Sequence, residues 1–229
     1  MNQGLNQLAP ESMIDRPGKL YFMHRDVALK WVIELSSCGS TCFQVGMLLR
    51  HWSVLAKKDV ITALSKKFSD FGISKDQKRS ALFKLEKRGL IRVTRLKGTN
   101  PTVAVVDGSI SSSRNFGTQQ KSQLTNLSEG LYFLHRDISL EWVKELSSCG
   151  STCFQVGMLL RYWSVLEKAN IIAATSKKFS VFNISKDQKR SALFELEERG
   201  LIQVMRNKGA NPRVVVVEKS GLSTHACRI

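Results

Sequence analysis

Shifted by 111 positions, the chain matches itself: residues 20–107 align with residues 131–218, and only 23 of those 88 positions differ. A self-match at one fixed offset means a single structural unit written twice, so any fold proposed for the first half must also serve the second. Two stretches return unchanged. ELSSCGSTCFQVGMLLR occupies 34–50 and 145–161, and ISKDQKRSALF occupies 73–83 and 184–194. Each copy is long enough to enclose a core of its own. The chain therefore divides into an N-terminal arm (1–19), a first domain (20–107), a connector (108–130), a second domain (131–218) and a tail (219–229). The connector is rich in Ser, Gln, Asn and Gly and lacks periodicity, which predicts a flexible linker.

Within one copy, LYFMH (20–24) is short and aromatic and predicts a strand. Asp26 is placed to cap a helix over VALKWVIELSS, where Val27, Trp31 and Leu35 recur at a spacing of four, and Gly39 ends it. Ser40 or Thr41 then opens a second helix, CFQVGMLLRHWSVLA, whose apolar residues fall nearly all round; such a helix is buried on several sides. Its unchanged return fits a core shared after duplication. The competing reading is a contact between the copies or between chains, with Gly46 permitting close approach. ALSKKFSDF predicts a short helical segment, Gly72 a turn, and ISKDQKRSALFKLEKRG a helix stopped by Gly89. On that helix Ile73, Ala81, Leu82 and Leu85 face inward, while Ser74, Lys75, Gln77, Lys78 and Arg79 crowd the exposed side of the first two turns. LIRVTRL and TVAVV around the tip KGTNP make a hairpin.

The stretch ISKDQKRSALFKLEKRGLIRVTRLKGTNPTVAVV resembles the recognition helix and wing of bacterial winged helix-turn-helix regulators, and its second copy, ISKDQKRSALFELEERGLIQVMRNKGANPRVVVV, fits the same frame. The likeness covers about 50 residues of each copy; the upstream strand and two helices match it loosely. It implies an α+β class, mainly α, with two tandem winged helices. Asn183 stands where the first turn has Gly72, and asparagine tolerates the positive φ that such a turn needs.

The formal charge of +16 and pI near 9.9 favour a polyanionic partner. A helix in the major groove presents its first turns to base edges and its flanks to phosphates. On that basis Lys75 and Arg79 suit guanine, and Gln77 suits adenine, with Lys186, Arg190 and Gln188 as their equivalents. Ser74, Lys78, Ser185 and Lys189 share those turns. Lys66 and Lys67, with Lys177 and Lys178, lie on the preceding helix near the phosphate backbone. Arg95, Lys97 and Asn100 on the wing match Arg206, Lys208 and Asn211, and Arg213 adds a cation where the first copy has Thr102. The copies diverge at the far end of the helix: Lys84 and Lys87 become Glu195 and Glu198, and Arg92 becomes Gln203. The first head is thus expected to grip more strongly and less selectively.

Other classes find less support. Cys38, Cys42, Cys149 and Cys153 give one Cys-x3-Cys per copy without a second ligand pair, Cys227 is left over, and His24 and His135 lie upstream; buried reduced thiols are expected, with no metal and no cofactor. No P-loop, metalloprotease or nucleophile-elbow motif occurs, so the chain is not expected to be an enzyme; His24-Arg25-Asp26 and Asp70-Phe71-Gly72 mimic kinase motifs without the accompanying glycine-rich loop. Neither an apolar run near eighteen residues nor a secretory start is present, so the expectation is a cytoplasmic, nucleoid-associated protein with no membrane partner. The expected function is sequence-specific binding of double-stranded DNA at repeated half-sites, inverted or direct, by a covalent pseudo-dimer acting in transcription regulation. A homodimer through the apolar second helices is a further candidate assembly. The alternatives are a replication initiator of a plasmid or mobile element, and a winged-helix module that binds protein.

Overall fold

The structure, a computed structural model, describes residues 21–22, 27–106, 132–133 and 138–217. The linker 108–130, both termini, Asp26, His24, His135 and Cys227 lie outside the described residues. The first copy runs β1 (Tyr21–Phe22), β2 (Val27–Ala28), α1 (Leu29–Ser37), α2 (Ser40–Ala56), β3 (Val60–Thr62), α3 (Ser65–Ser69), α4 (Lys75–Lys87), β4 (Ile91–Thr94) and β5 (Thr102–Val105). The second repeats that order as β6 (Tyr132–Phe133), β7 (Ile138–Ser139), α5 (Leu140–Ser148), α6 (Ser151–Leu166), β8 (Ile171–Ala173), α7 (Ser176–Ser180), α8 (Lys186–Glu198), β9 (Ile202–Met205) and β10 (Arg213–Val216). The architecture is α+β and mainly helical, with a small three-stranded antiparallel sheet in each copy.

Each sheet has its last strand in the middle, in the orders β3-β5-β4 and β8-β10-β9. The expected hairpin is present, and a third strand that the sequence reading missed flanks it. Val93, Val103 and Ile61 lie on one row across the first sheet, with Val103 fully buried. That apolar face packs on α2, whose residues Phe43, Val45, Met47, Leu48 and Leu49 are wholly enclosed. α1 and α4 pack against other sides of α2, which accounts for its all-round apolar character.

The boundaries of the first elements differ from expectation. Val27 and Ala28 are strand rather than helix, and α1 begins after Ala28, without a side-chain cap. Gly39 at φ 103°, not Ser40 or Thr41, occupies the N-cap of α2. The reason is tertiary in both cases: these segments are engaged by the other copy. β2 pairs antiparallel with β6, and β1 with β7. Ser40 Oγ lies 3.3 Å from Ser151 Oγ, Thr41 Oγ1 lies 3.2 Å from Ser151 Oγ, and Thr152 Oγ1 donates to Ser40 Oγ at 3.3 Å. Beneath these hydroxyls the fully buried rings of Phe43 and Phe154 meet edge to face at 6.1 Å. The second helix is therefore both the core of its own copy and the contact between copies, and among the described residues one hydrophobic cluster spans the two copies. Gly46 serves a different neighbour from the one expected. A Cβ there would stand 2.5 Å from Leu35 Cδ2 of its own copy, and Gly157 meets Leu146 in the same way. The glycine lets α1 approach α2.

Candidate nucleic-acid interface

The helix carrying the repeated basic segment in each copy, α4 or α8, is fixed by its own sequence and by two buried tethers. Ser74 is the N-cap of α4. Its Oγ accepts from the Gln77 backbone N–H at 3.2 Å, and the Ser74 N–H donates to Gln77 Oε1 at 2.9 Å. Ser185 and Gln188 build the same reciprocal box on α8, at 3.1 and 2.9 Å. At the other end Gly89 and Gly200 take positive φ and stop the helices. The turn before α4 passes through Gly72 at φ 68°, and its counterpart through Asn183 at φ 55°, as that turn requires. Buried Gln44 donates to Phe71 O at 3.0 Å and Gln155 to Phe182 O at 3.0 Å, so each turn is tied to the central helix.

Lys78 and Lys189 require correction. They were expected on the exposed side, yet both are buried. Lys78 Nζ donates to Ala63 O at 3.0 Å and Ser65 Oγ at 2.7 Å; Lys189 Nζ donates to Ala174 O at 2.9 Å and Ser176 Oγ at 3.1 Å. Each ammonium also sits 5.8 Å above a ring, Phe68 or Phe179. Burial disfavours the charged form and pulls both lysines below the ordinary range, with Lys75 and Lys186 adding repulsion. They lock α4 and α8 to the preceding segments and cannot reach a phosphate.

Other expected contacts are placed unequally. Lys75, Arg79, Lys186 and Arg190 are exposed on the first turns, as are Lys66, Lys67 and Lys177 on α3 and α7. Lys178 is half-buried, paired with Glu167 and 5.5 Å over the Trp163 ring. In the first copy Ala56 takes the place of Glu167, and Lys67 stands 5.8 Å over Trp52. Ser74 and Ser185 are exposed but spent on capping. The Gln77 and Gln188 carbonyls are turned to their helix starts, so the two-point pairing with adenine cannot be made from this rotamer; Nε2 remains as a donor. Lys97, Asn100, Lys208 and Asn211 are exposed at the hairpin tips, and Arg213 is exposed on β10. Arg95 and Arg206 are exposed yet held by Glu86 at 2.7 Å and Glu197 at 2.6 Å, and the arginines keep both carboxyls below the usual carboxylate range.

Helical geometry defines the open face. With 100° per residue, the buried stripe Lys78, Ala81, Leu82 and Leu85 lies opposite an arc centred on Phe83, with Asp76, Arg79, Ser80 and Lys87 around it. Phe83 is 63% exposed and Phe194 61%, unusual values for rings in the middle of a helix. Neither ring is among the residues expected at the site from sequence, although the helical periodicity that points Leu82 inward points Phe83 outward. On its inner flank the face borders a cleft of about 430 Å³ lined by Cys38, Ser40, Thr41, Cys42, Gln77 and Lys84, among others. Burial pushes the Cys42 and Cys153 thiols up to about 11. Among the described residues no three His, Cys, Asp or Glu side chains gather as a metal site, and no helix is long and apolar enough to cross a membrane.

The copies differ electrostatically at the far end of this face. Lys84 and Lys87 are exposed in the first. In the second, Glu195 pairs with Arg199 at 2.8 Å, and Arg199 also donates to Ser148 Oγ at 3.2 Å. No protein-family model matches the chain, and neither a curated protein nor a solved structure gives a significant match.

Proposed function

We propose that the chain is a sequence-specific double-stranded DNA-binding protein, a covalent pseudo-dimer of two winged helices that regulates transcription from a site with two like half-sites. The observation that carries this reading is the open face of α4 and α8. In both copies the same residues, Asp76, Arg79, Ser80 and Phe83 with their equivalents, flanked by Lys75 and Lys186 on the first turn, stand clear of the fold on a helix held by a capping box, a buried lysine and a buried glutamine. A helix of this width fits the major groove, where Arg79 and Arg190 are matched to guanine O6 and N7 and Phe83 and Phe194 to a thymine methyl. Lys66, Lys67 and Lys177 on the preceding helices, with Lys97 and Lys208 on the hairpins, suit the flanking phosphates. The interaction-module alternative leaves this duplicated basic face without an anionic partner, and the net charge of +16 weighs against it.

The test is binding of the full chain to duplex DNA over a salt series. Three to four neutralised phosphates per head give a slope of log K against log salt of about −5 to −7. Binding without salt dependence, or without preference among duplex sequences, sinks the proposal. A footprint at a promoter, as against iterated sites at an origin, separates a regulator from a replication initiator.

A further inference from the structure

We infer that the cognate DNA is an inverted repeat whose dyad coincides with a pseudo-twofold axis of the chain, an inference that rests on the DNA-binding reading above. The sequence leaves inverted and direct arrangements equally open, because a flexible linker permits both. The contacts between the copies do not.

Those contacts are reciprocal under the 111-residue shift. Tyr21 lies opposite Ser139 and Phe22 opposite Ile138; adding or subtracting 111 converts these pairs into Tyr132 opposite Ala28 and Phe133 opposite Val27, which is the observed β2–β6 register. The Thr41–Ser151 contact has its counterpart in Thr152–Ser40. Ser40 with Ser151 and Phe43 with Phe154 go further, since each joins a residue to its own equivalent. A self-pair forms only on a twofold axis; a head-to-tail relation joins one patch to a different patch. The two copies are therefore related by a half-turn, not by translation.

The reading faces also share one end of that axis. The cleft beside α4 has Ser40 and Thr41 on its far wall, so the open face of α4 borders the hydroxyl pair that marks the axis. The half-turn brings α8 to the same pair from the opposite side. Duplex DNA has dyads perpendicular to its own axis, and a two-headed body docks with the dyads superposed, its equivalent helices reading opposite strands. Because residues 73–83 and 184–194 are identical, both arms carry the same bases. To read a direct repeat, one head would have to turn through half a revolution. That motion separates Phe43 from Phe154, both fully enclosed, and dissolves both exchanged strand pairs.

The experiment is enrichment of a random-sequence duplex pool on the full chain, followed by binding to rearranged versions of the selected site. The expected consensus has two like arms on opposite strands at one fixed spacing. Turning one arm round to make a direct repeat, or inserting about five base pairs between the arms, roughly half a helical turn, should lower affinity about 100-fold or more toward that of a single arm. A consensus of directly repeated arms, a single-arm consensus, or undiminished binding after either rearrangement overturns the inference while leaving DNA binding in place. Failure to enrich any sequence removes both.

Discussion

Replacing Phe83 and Phe194 with alanine removes the apolar centre of each open face and asks whether it touches bases. Both rings are more than half exposed, so the fold should lose little; substitutions away from buried features shift stability by about 0.5 kcal/mol or less. In the major groove the apolar partner for such a ring is the C5 methyl of thymine. Withdrawing one group of that size from water is worth about 0.8 kcal/mol, and with about 1.4 kcal/mol per factor of ten a missing methyl weakens binding roughly fourfold. Losing one in each arm costs roughly fifteenfold, about 1.6 kcal/mol. Deoxyuridine in place of thymine deletes only the methyl, so fluorescence anisotropy at one salt concentration, with thymine and deoxyuridine versions of the selected site, completes a double-mutant cycle. The wild-type chain should lose that factor on the deoxyuridine site. The F83A/F194A chain should bind both versions alike. Equal wild-type affinity for the two sites refutes the thymine contact; an equal loss in wild type and variant refutes its assignment to these rings.

The remaining predictions probe the charges. Lys78→Met and Lys189→Met should leave the salt slope unchanged because neither ammonium faces solvent, whereas Lys75→Ala and Lys186→Ala should each flatten it by about 0.9. The buried lysines titrate low when folded, so the unfolded chain holds more protons just below the ordinary lysine range. Relative to the methionine variants, wild-type stability should therefore rise as pH climbs toward 10.5, measured by urea unfolding; the opposite trend refutes the burial. Glu86→Gln and Glu197→Gln release Arg95 and Arg206 and should tighten binding and steepen the slope; unaltered binding means the wing arginines do not approach phosphate. Iodoacetamide should label Cys42 and Cys153 slowly at neutral pH, with a rate that climbs toward pH 11, as read by mass spectrometry; rapid labelling of the folded chain at pH 7 contradicts their burial. Restoring lysine at Glu195 and Glu198 and arginine at Gln203 should steepen the salt slope by up to about 2.7, one counterion term per new phosphate contact; no change refutes the unequal grip of the two heads.

What could be read from sequence was local. The Gly89 stop, the inward positions of Ile73, Ala81, Leu82 and Leu85 and the β4–β5 hairpin all follow from neighbours within a few positions and stand as expected, whereas Ser74, expected to face DNA, is the N-cap of α4. What escaped depends on residues distant in the chain. Lys78 occupies an inward position because Ala63 O and Ser65 Oγ meet its ammonium there, and a charge-counting rule sends it outward. Val27 and Ala28 continue the apolar pattern of α1, yet their backbone partners lie in β6. β3 is three residues long, too short for an alternating pattern to register, and exists because β5 offers it an edge. Phe83 differs from these cases. Its outward direction follows from helical periodicity alone, yet it belongs to neither the inward set nor the cationic set expected from sequence.

The distribution of differences between the copies has a physical logic that links packing to function. Among the described residues, only two of the 23 differing positions are buried in both copies, Val27 with Ile138 and His51 with Tyr162. A residue on the pseudo-twofold axis faces its own equivalent, so a change in one copy meets an unmatched surface at once; Ser40, Phe43 and the rest of 34–50 are identical to their partners. Residues 73–83 are also identical, although most of them are exposed and carry no such packing constraint. Ser74 and Gln77 are held by their capping box, and for Lys75, Arg79, Ser80 and Phe83 the proposed inverted repeat, presenting the same bases to both heads, would supply the match. On the same proposal the far ends of α4 and α8 and the following strands would meet only phosphate, which accepts any cation at many positions and tolerates its loss. There Lys84, Lys87 and Arg92 differ from Glu195, Glu198 and Gln203. One chain thereby holds two identical exposed helix faces with unequal charge at their far ends, an asymmetry that a dimer of identical subunits cannot have.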